Sequence, residues 1–165
     1  MLEAPADITP AKIRNSAMDL LTGREYSRAE LADKLNKRFD HHSAIDEVLQ
    51  RLADEGLQSD SRFAEAFVRS RIYRGHGLAR IRQDIRQKGI ADELVAQALE
   101  DADADWYALA RDVAQRKFGQ RQPADQREKA KRMRFLQYRG FNYDQIKHAL
   151  ADHLDGHLDD QDFFD

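Results

Sequence analysis

Apolar residues in this chain return with a period of about fifty positions, and that period constrains the fold more than any other feature. Leu31, Leu35, Ile45 and Leu49 are followed fifty residues later by Ile81, Ile85, Val95 and Leu99. A further fifty-one residues carry the last three of these to Leu136, Ile146 and Leu150. Pairs four apart, separated by a turn-sized gap, are the spacing of two amphipathic helices in succession. A repeat of this length marks a helical array whose modules complete one another's cores. Such arrays present long surfaces to macromolecules rather than enclosing a small substrate. The expected fold is therefore all-α: three tandem three-helix, helix-turn-helix-like repeats forming an elongated, curved array.

Composition agrees with that reading. The 165 residues suit one ordinary domain or three small modules in a row, and three prolines with few alternating Val/Ile/Thr runs argue against a sheet. Without cysteine there is no disulfide, no thiolate chemistry and no cysteine-based zinc site. No apolar run is long enough for a membrane span or a signal sequence, so a soluble cytoplasmic protein is expected. The net charge of −3 conceals segregation. Residues 60–90 hold eight Lys/Arg against three Asp/Glu, and residues 111–147 hold eleven against four. Acid collects in 92–105 and again in 152–165. Blocks of this kind point to an interaction surface more directly than the overall balance does.

Helix-start and helix-stop residues divide the chain into repeats at 1–58, 59–103 and 104–155, followed by an acidic C-terminal tail at 156–165. Thr9-Pro10 reads as an N-cap with proline at the first helical position, ahead of the stripe Ile13, Ala17, Leu20 and Leu21. Ser27 and Glu30 have capping-box spacing, which starts a second helix near Arg28. A third runs from about Ala44 to Glu55 and stops at Gly56. Ser59-Asp60-Ser61 can cap the next, which Gly75-His76-Gly77 breaks. Lys88-Gly89-Ile90 closes the Ile81/Ile85 helix, and Arg139-Gly140-Phe141 repeats that turn in the third module. Residues 119–125 form an irregular loop, longer than its counterpart in the second repeat. Asn142 and Gln145 make a further capping box.

Candidate binding residues follow from helical wheels. Winding residues 62–73 at about 100° per residue buries Phe63, Ala64, Phe67 and Val68 on one side and gathers Arg62, Arg69 and Tyr73 on the other. Arg71 falls nearer the apolar side, which makes it structural. On the next helix Leu78, Ile81 and Ile85 face inward, with Arg82 and Arg86 one turn apart beside them. Like charges at that spacing cost about 0.2–0.5 kcal/mol in an isolated helix, a cost that a partner anion relieves. Arg80 can instead pair with Asp84. Lys131, Arg134, Phe135 and Tyr138 make a comparable face in the third module, with Phe135 equally readable as core. Lys88 joins the set at its helix end. Basic side chains interleaved with aromatics suit phosphates and unstacked bases, and they suit an acidic protein groove equally well. His153 and His157 have helical metal-pair spacing, but Gly156 intrudes. Gly75-His76-Gly77 follows no strand and precedes no Gly-Lys-Ser/Thr, so it is not a phosphate loop. No residue pattern looks catalytic, and no cofactor or metal site is expected.

Taken in order, Asp60-Ser61-Arg62-Phe63-Ala64, Phe67, Arg71, Gly75-His76-Gly77, Arg80-Ile81-Arg82 and Lys88-Gly89-Ile90 resemble the central signature of the bacterial RecX family. Tyr26-Ser27-Arg28-Ala29-Glu30-Leu31, Arg134-Phe135-Leu136 and Tyr138-Arg139-Gly140-Phe141 extend the resemblance over about residues 12–152. Leu57-Gln58-Ser59 and Leu78 depart from the family pattern, which usually has an aromatic, an aliphatic and an acid at the first three and often proline at the last. The resemblance implies an all-helical regulator of the recombinase RecA. Such a protein binds in the groove of the RecA–single-stranded-DNA filament and limits filament extension, strand exchange, ATP hydrolysis and LexA-type repressor cleavage. It uses no cofactor and catalyses nothing. The partner-binding set would then be Arg62, Arg69, Tyr73, Arg82, Arg86, Lys88, Lys131, Arg134 and Tyr138, on a monomer. A stand-alone DNA-binding protein is the competing reading, which the acidic blocks disfavour by repelling an extended duplex; a generic helical scaffold is the third.

Overall fold

The computed structural model describes residues 7–151. Among them the regular structure is nine α-helices and no strand. In chain order these are α1 Pro10–Gly23, α2 Arg28–Arg38, α3 Ile45–Asp54, α4 Asp60–Tyr73, α5 Leu78–Arg86, α6 Asp92–Ala102, α7 Trp106–Phe118, α8 Gln126–Tyr138 and α9 Tyr143–Leu150. The acidic tail at 156–165, the His153/His157 pair and Phe163-Phe164 lie outside the described residues.

Local chemistry sets the helix boundaries. Thr9 Oγ1 accepts from the Lys12 amide, with Pro10 opening α1. Ser27 and Glu30 form a reciprocal capping box at α2, and Asn142 and Gln145 form another at α9. Each box satisfies two amide donors that a helix start leaves without intrahelical partners. Ser59 Oγ takes the Arg62 amide at 3.1 Å and so caps α4. Asp105 and Asp125 do the same for α7 and α8.

Contacts divide the chain into two units. The first comprises the residues up to Ala66 together with Ile85–Ala98. In it α1, α2 and α3 pack pairwise around Ile13, Leu31, Leu35, Ile45, Leu49 and Leu52, none more than 2% exposed. Phe63, Ala64, Ile85, Ile90 and Val95 are buried in the same unit. The departure at Gln58 is structural: the side chain is buried, and its Nε2 donates to the Tyr26 carbonyl at 3.2 Å and to Asp60 Oδ1 at 3.0 Å. Asp60 Oδ1 also accepts from the Arg28 amide at 2.8 Å, so one carboxylate ties the α2 start to the α4 start.

The second unit comprises Phe67–Asp84 together with the residues from Leu99 on. Here α7 packs on α8 and α9, and α8 packs on α9. Ala110 and Ala114 are fully buried, and small residues there let helices approach closely. Leu136, Phe141, Ile146 and Leu150 complete the core. Fully burying each such side chain contributes about 1.5–3 kcal/mol.

The fifty-residue period is a burial pattern. Every position it names is buried except Leu99, which is half-buried. Extending it from Ile81 by fifty-one residues reaches Arg132, which is charged yet only 3% exposed. Its Nη1 donates to the Arg121 carbonyl and its Nη2 to Glu128 Oε1, both at 2.7 Å. The guanidinium also lies 5.0 Å from the Phe118 ring centroid. The longer loop at 119–125 thus supplies an acceptor that a buried arginine requires.

Candidate binding surfaces

In the first unit the candidate cations are engaged. Arg62 Nε donates to Glu25 Oε1 at 3.0 Å. Lys88 Nζ and Arg24 Nη2 both reach Glu30 Oε2 at 3.3 Å, while Glu30 Oε1 accepts from the Ser27 amide. Burial of Glu30 raises its pKa, but the hydrogen bonds from Arg24 and the Ser27 amide, with help from Lys88, outweigh it and leave the pKa below the usual value. Glu30 therefore stays ionised and holds Lys88. Arg86 lies 3.4 Å from Asp92, with both side chains largely exposed, a pair that water competes for easily.

In the second unit the candidates divide differently. Arg69, Tyr73 and Arg82 are exposed, as are Lys131 and Arg134 on α8, and none of the five side chains has a hydrogen bond or ion pair among the described residues. Tyr73 is 88% exposed, and Arg69 sits one turn before it on α4. Tyr138 is 73% exposed, with the Arg80 guanidinium 4.7 Å from its ring centroid. Phe135, by contrast, packs edge-on against Phe118 at 5.5 Å and belongs to the core's margin. Arg71 takes the structural place its wheel position indicated: its Nη1 meets Asp84 at 2.9 Å, and its guanidinium lies over Phe67. Arg80 also reaches Asp84, at 3.4 Å.

Backbone contacts tie the start of α5 to the turn between α8 and α9. The Gly77 amide donates to the Arg139 carbonyl at 2.7 Å, and the Ala79 amide donates to the Gly140 carbonyl at 3.2 Å. A Cβ on Gly77 would lie 2.5 Å from the Gly140 carbonyl carbon and oxygen. Gly140 has φ +102°, and a Cβ there would strike Arg80 at 2.4 Å. The Gly75-His76-Gly77 break and the Arg139-Gly140-Phe141 turn are therefore partners, docked backbone to backbone. Beside them Arg139 Nη1 donates to the Arg74 carbonyl at 2.9 Å.

Between the end of α4, one side of α7 and Phe135 runs a cleft of about 480 Å³. Its floor is apolar, from Ile72, Leu109, Val113 and Phe135, and its rim carries Arg74, Arg116, Lys117 and Arg139. One carboxylate, Asp112, lines it and pairs with Arg116 at 3.2 Å. Nothing in the sequence joined these residues, because they come from three helices with unrelated spacing. Among the described residues no group of three or more His, Asp or Glu is placed to hold a metal ion, and no helix is long and apolar enough to cross a membrane.

The sequence matches family models for the RecX first, second and third three-helix domains at residues 14–52, 59–99 and 103–150. A protein named regulatory protein RecX from Halorhodospira halophila is 49% identical over 139 residues, covering 84% of this chain and 86% of that one. One of the same name from Pseudomonas putida is 46% identical over 143 residues, covering 87% and 92%. The crystal structure of RecX from Lactobacillus salivarius superposes with a TM-score of 0.70 at 24% identity, covering 87% of this chain and 96% of that one. A second crystal structure, of a regulatory protein RecX, gives 0.71 at 24% identity over 84% and 71%. At that identity the structural likeness establishes the fold alone.

Proposed function

This chain belongs to the RecX family, and on that premise we propose that it is a negative regulator of the RecA recombinase. It binds in the groove of the RecA–single-stranded-DNA filament and restrains filament extension, strand exchange, ATP hydrolysis and repressor cleavage. It acts as a monomer in the cytoplasm, by occupancy rather than by chemistry. The observation that carries this reading is the set of exposed side chains without partners among the described residues: Arg69, Tyr73, Arg82, Lys131 and Arg134. Cations left unpaired beside exposed tyrosines suit a phosphate backbone and its bases, or an acidic protein wall. A filament groove offers both. Arg62, Arg86 and Lys88 join only by exchanging an internal carboxylate for an external one, with Arg86 the easiest to release.

The deciding comparison uses labelled protein, RecA–single-stranded-DNA filaments and the same DNA without RecA. Preference for the filament supports the proposal, and the double reversal Arg82→Glu with Arg134→Glu is expected to weaken filament binding roughly tenfold or more, about 1.4 kcal/mol or above. Equal affinity for naked DNA would transfer the function to direct DNA binding. Unchanged filament inhibition by a correctly folded double variant would remove these residues from the interface.

A further inference from the structure

We propose that the cleft formed by α4, α7 and α8 is the docking site for this chain's own acidic segment, residues 152–165, which thereby acts as an in-cis competitor for anionic partners of that face. The inference does not rest on the recombinase reading; it rests on the cleft's composition and on the sequence that follows α9.

Charge complementarity selects the occupant. Among the described residues the rim sets Arg74, Arg116, Lys117 and Arg139 against one carboxylate, that of Asp112. Lys117 and Arg139 approach the same Phe135 ring, at 5.4 and 5.1 Å from its centroid, so two cations converge on one wall of the cleft. Residues 152–165 carry six aspartates and no lysine or arginine. They also carry Leu154, Leu158, Phe163 and Phe164, apolar side chains for an apolar floor. Bases stack on aromatic rings, which Phe135 offers and the aliphatic Ile72, Leu109 and Val113 do not, whereas an acidic peptide with aromatic and aliphatic residues matches the whole floor as well as the rim.

Reach is sufficient. The ring of His148, near the end of α9, lies edge-on to Tyr107 at 5.6 Å, which places the end of α9 close to the first turn of α7. From Tyr107 to Lys117 the helix advances about 15 Å, whereas fourteen residues can span up to about 46 Å. Fourteen residues are therefore about three times as long as that advance. Tethering also gives it a high effective concentration at the cleft, so a weak intrinsic affinity is enough for occupancy.

The chain has no cysteine, so Gln161→Cys in the full-length protein accepts a single nitroxide label. Amide signals of Arg74, Val113, Lys117 and Arg139 are expected to lose more intensity through paramagnetic relaxation than amides away from the cleft. The loss should be abolished by Arg116→Glu with Lys117→Glu, both exposed side chains, and by salt of about 0.5 M, where screening acts within several ångströms. A companion protein with Asp159, Asp160 and Asp162 changed to Asn should also lose the effect. Broadening spread evenly over the surface, broadening that survives the charge reversals, or none at all would overturn the proposal. So would broadening seen only when labelled and isotope-enriched molecules are mixed, since that makes a second copy the occupant.

Discussion

Gly77 has no room for a side chain, and the reason is the Gly140 backbone rather than any conformational demand of its own. The neighbouring peptide cannot rotate away as a flexible side chain would. Gly77→Ala is therefore expected to cost about 1–3 kcal/mol, read as a lower urea midpoint with unchanged slope. His76, next to Gly77, provides a second residue-scale test. Burial lowers its pKa below 6.5, and the positive charges of Arg71, Arg80 and Arg139 lower it further against the opposing pull of Asp84. The unfolded chain then binds the proton more tightly than the folded one. The stability associated with neutral His76 is fully present above about pH 6.5 and is lost as pH falls from there through the folded pKa. Urea midpoints measured from pH 7.5 to 5 should decline in the native protein and decline less in His76→Gln. Identical profiles would remove His76 as the source.

At the scale of elements, α8 differs from its repeat counterpart α5 by carrying Arg132 where α5 carries Ile81. The exchange binds the helix to the preceding loop through the Arg121 carbonyl and to its own first turn through Glu128. The Ala124 amide and the Arg132 guanidinium hold the Glu128 carboxyl below its ordinary pKa, so it stays charged opposite the arginine. Arg132→Ala should destabilise by about 3 kcal/mol, because it removes buried packing and charged hydrogen bonds together. Hydrogen exchange should show the opening concentrated in residues 119–131. Equal protection of that loop in the variant would mean Arg132 does not hold it.

For the whole molecule, a net charge of −3 gives no warning of a cationic surface, since acids and bases occupy different stretches. The cations also differ in availability. Arg62, Arg86 and Lys88 have internal carboxylates, whereas Arg69, Arg82, Lys131 and Arg134 have none among the described residues. If the latter meet phosphates, filament affinity should fall with rising salt, and each one replaced by alanine should lower the logarithmic slope by about 0.7, the value for a single strand. Arg62→Ala should leave the slope nearly unchanged. A slope insensitive to all of these substitutions would mean that the protein wall, not the DNA, receives them.

The helices and their modular order were legible in the sequence because their causes are local. A capping box such as Ser27/Glu30, a stop such as Gly89 and apolar pairs four apart act within a few residues, and the fifty-residue period repeats them. Helical phase likewise separated Arg71 from Arg69 and Tyr73, since which side of a helix faces the core follows from its own apolar stripe. Pairing across helices had no such local cause. That Arg62 is taken by Glu25, that Gln58 is buried against Tyr26, that Gly77 abuts Gly140 and that Arg132 fills an aliphatic position all depend on chain segments brought close only by packing. The cleft beside Phe135 is of the same kind. Its basic rim and apolar floor become one surface only after three helices meet, because the energy that sets those neighbours is the burial of side chains far apart in sequence.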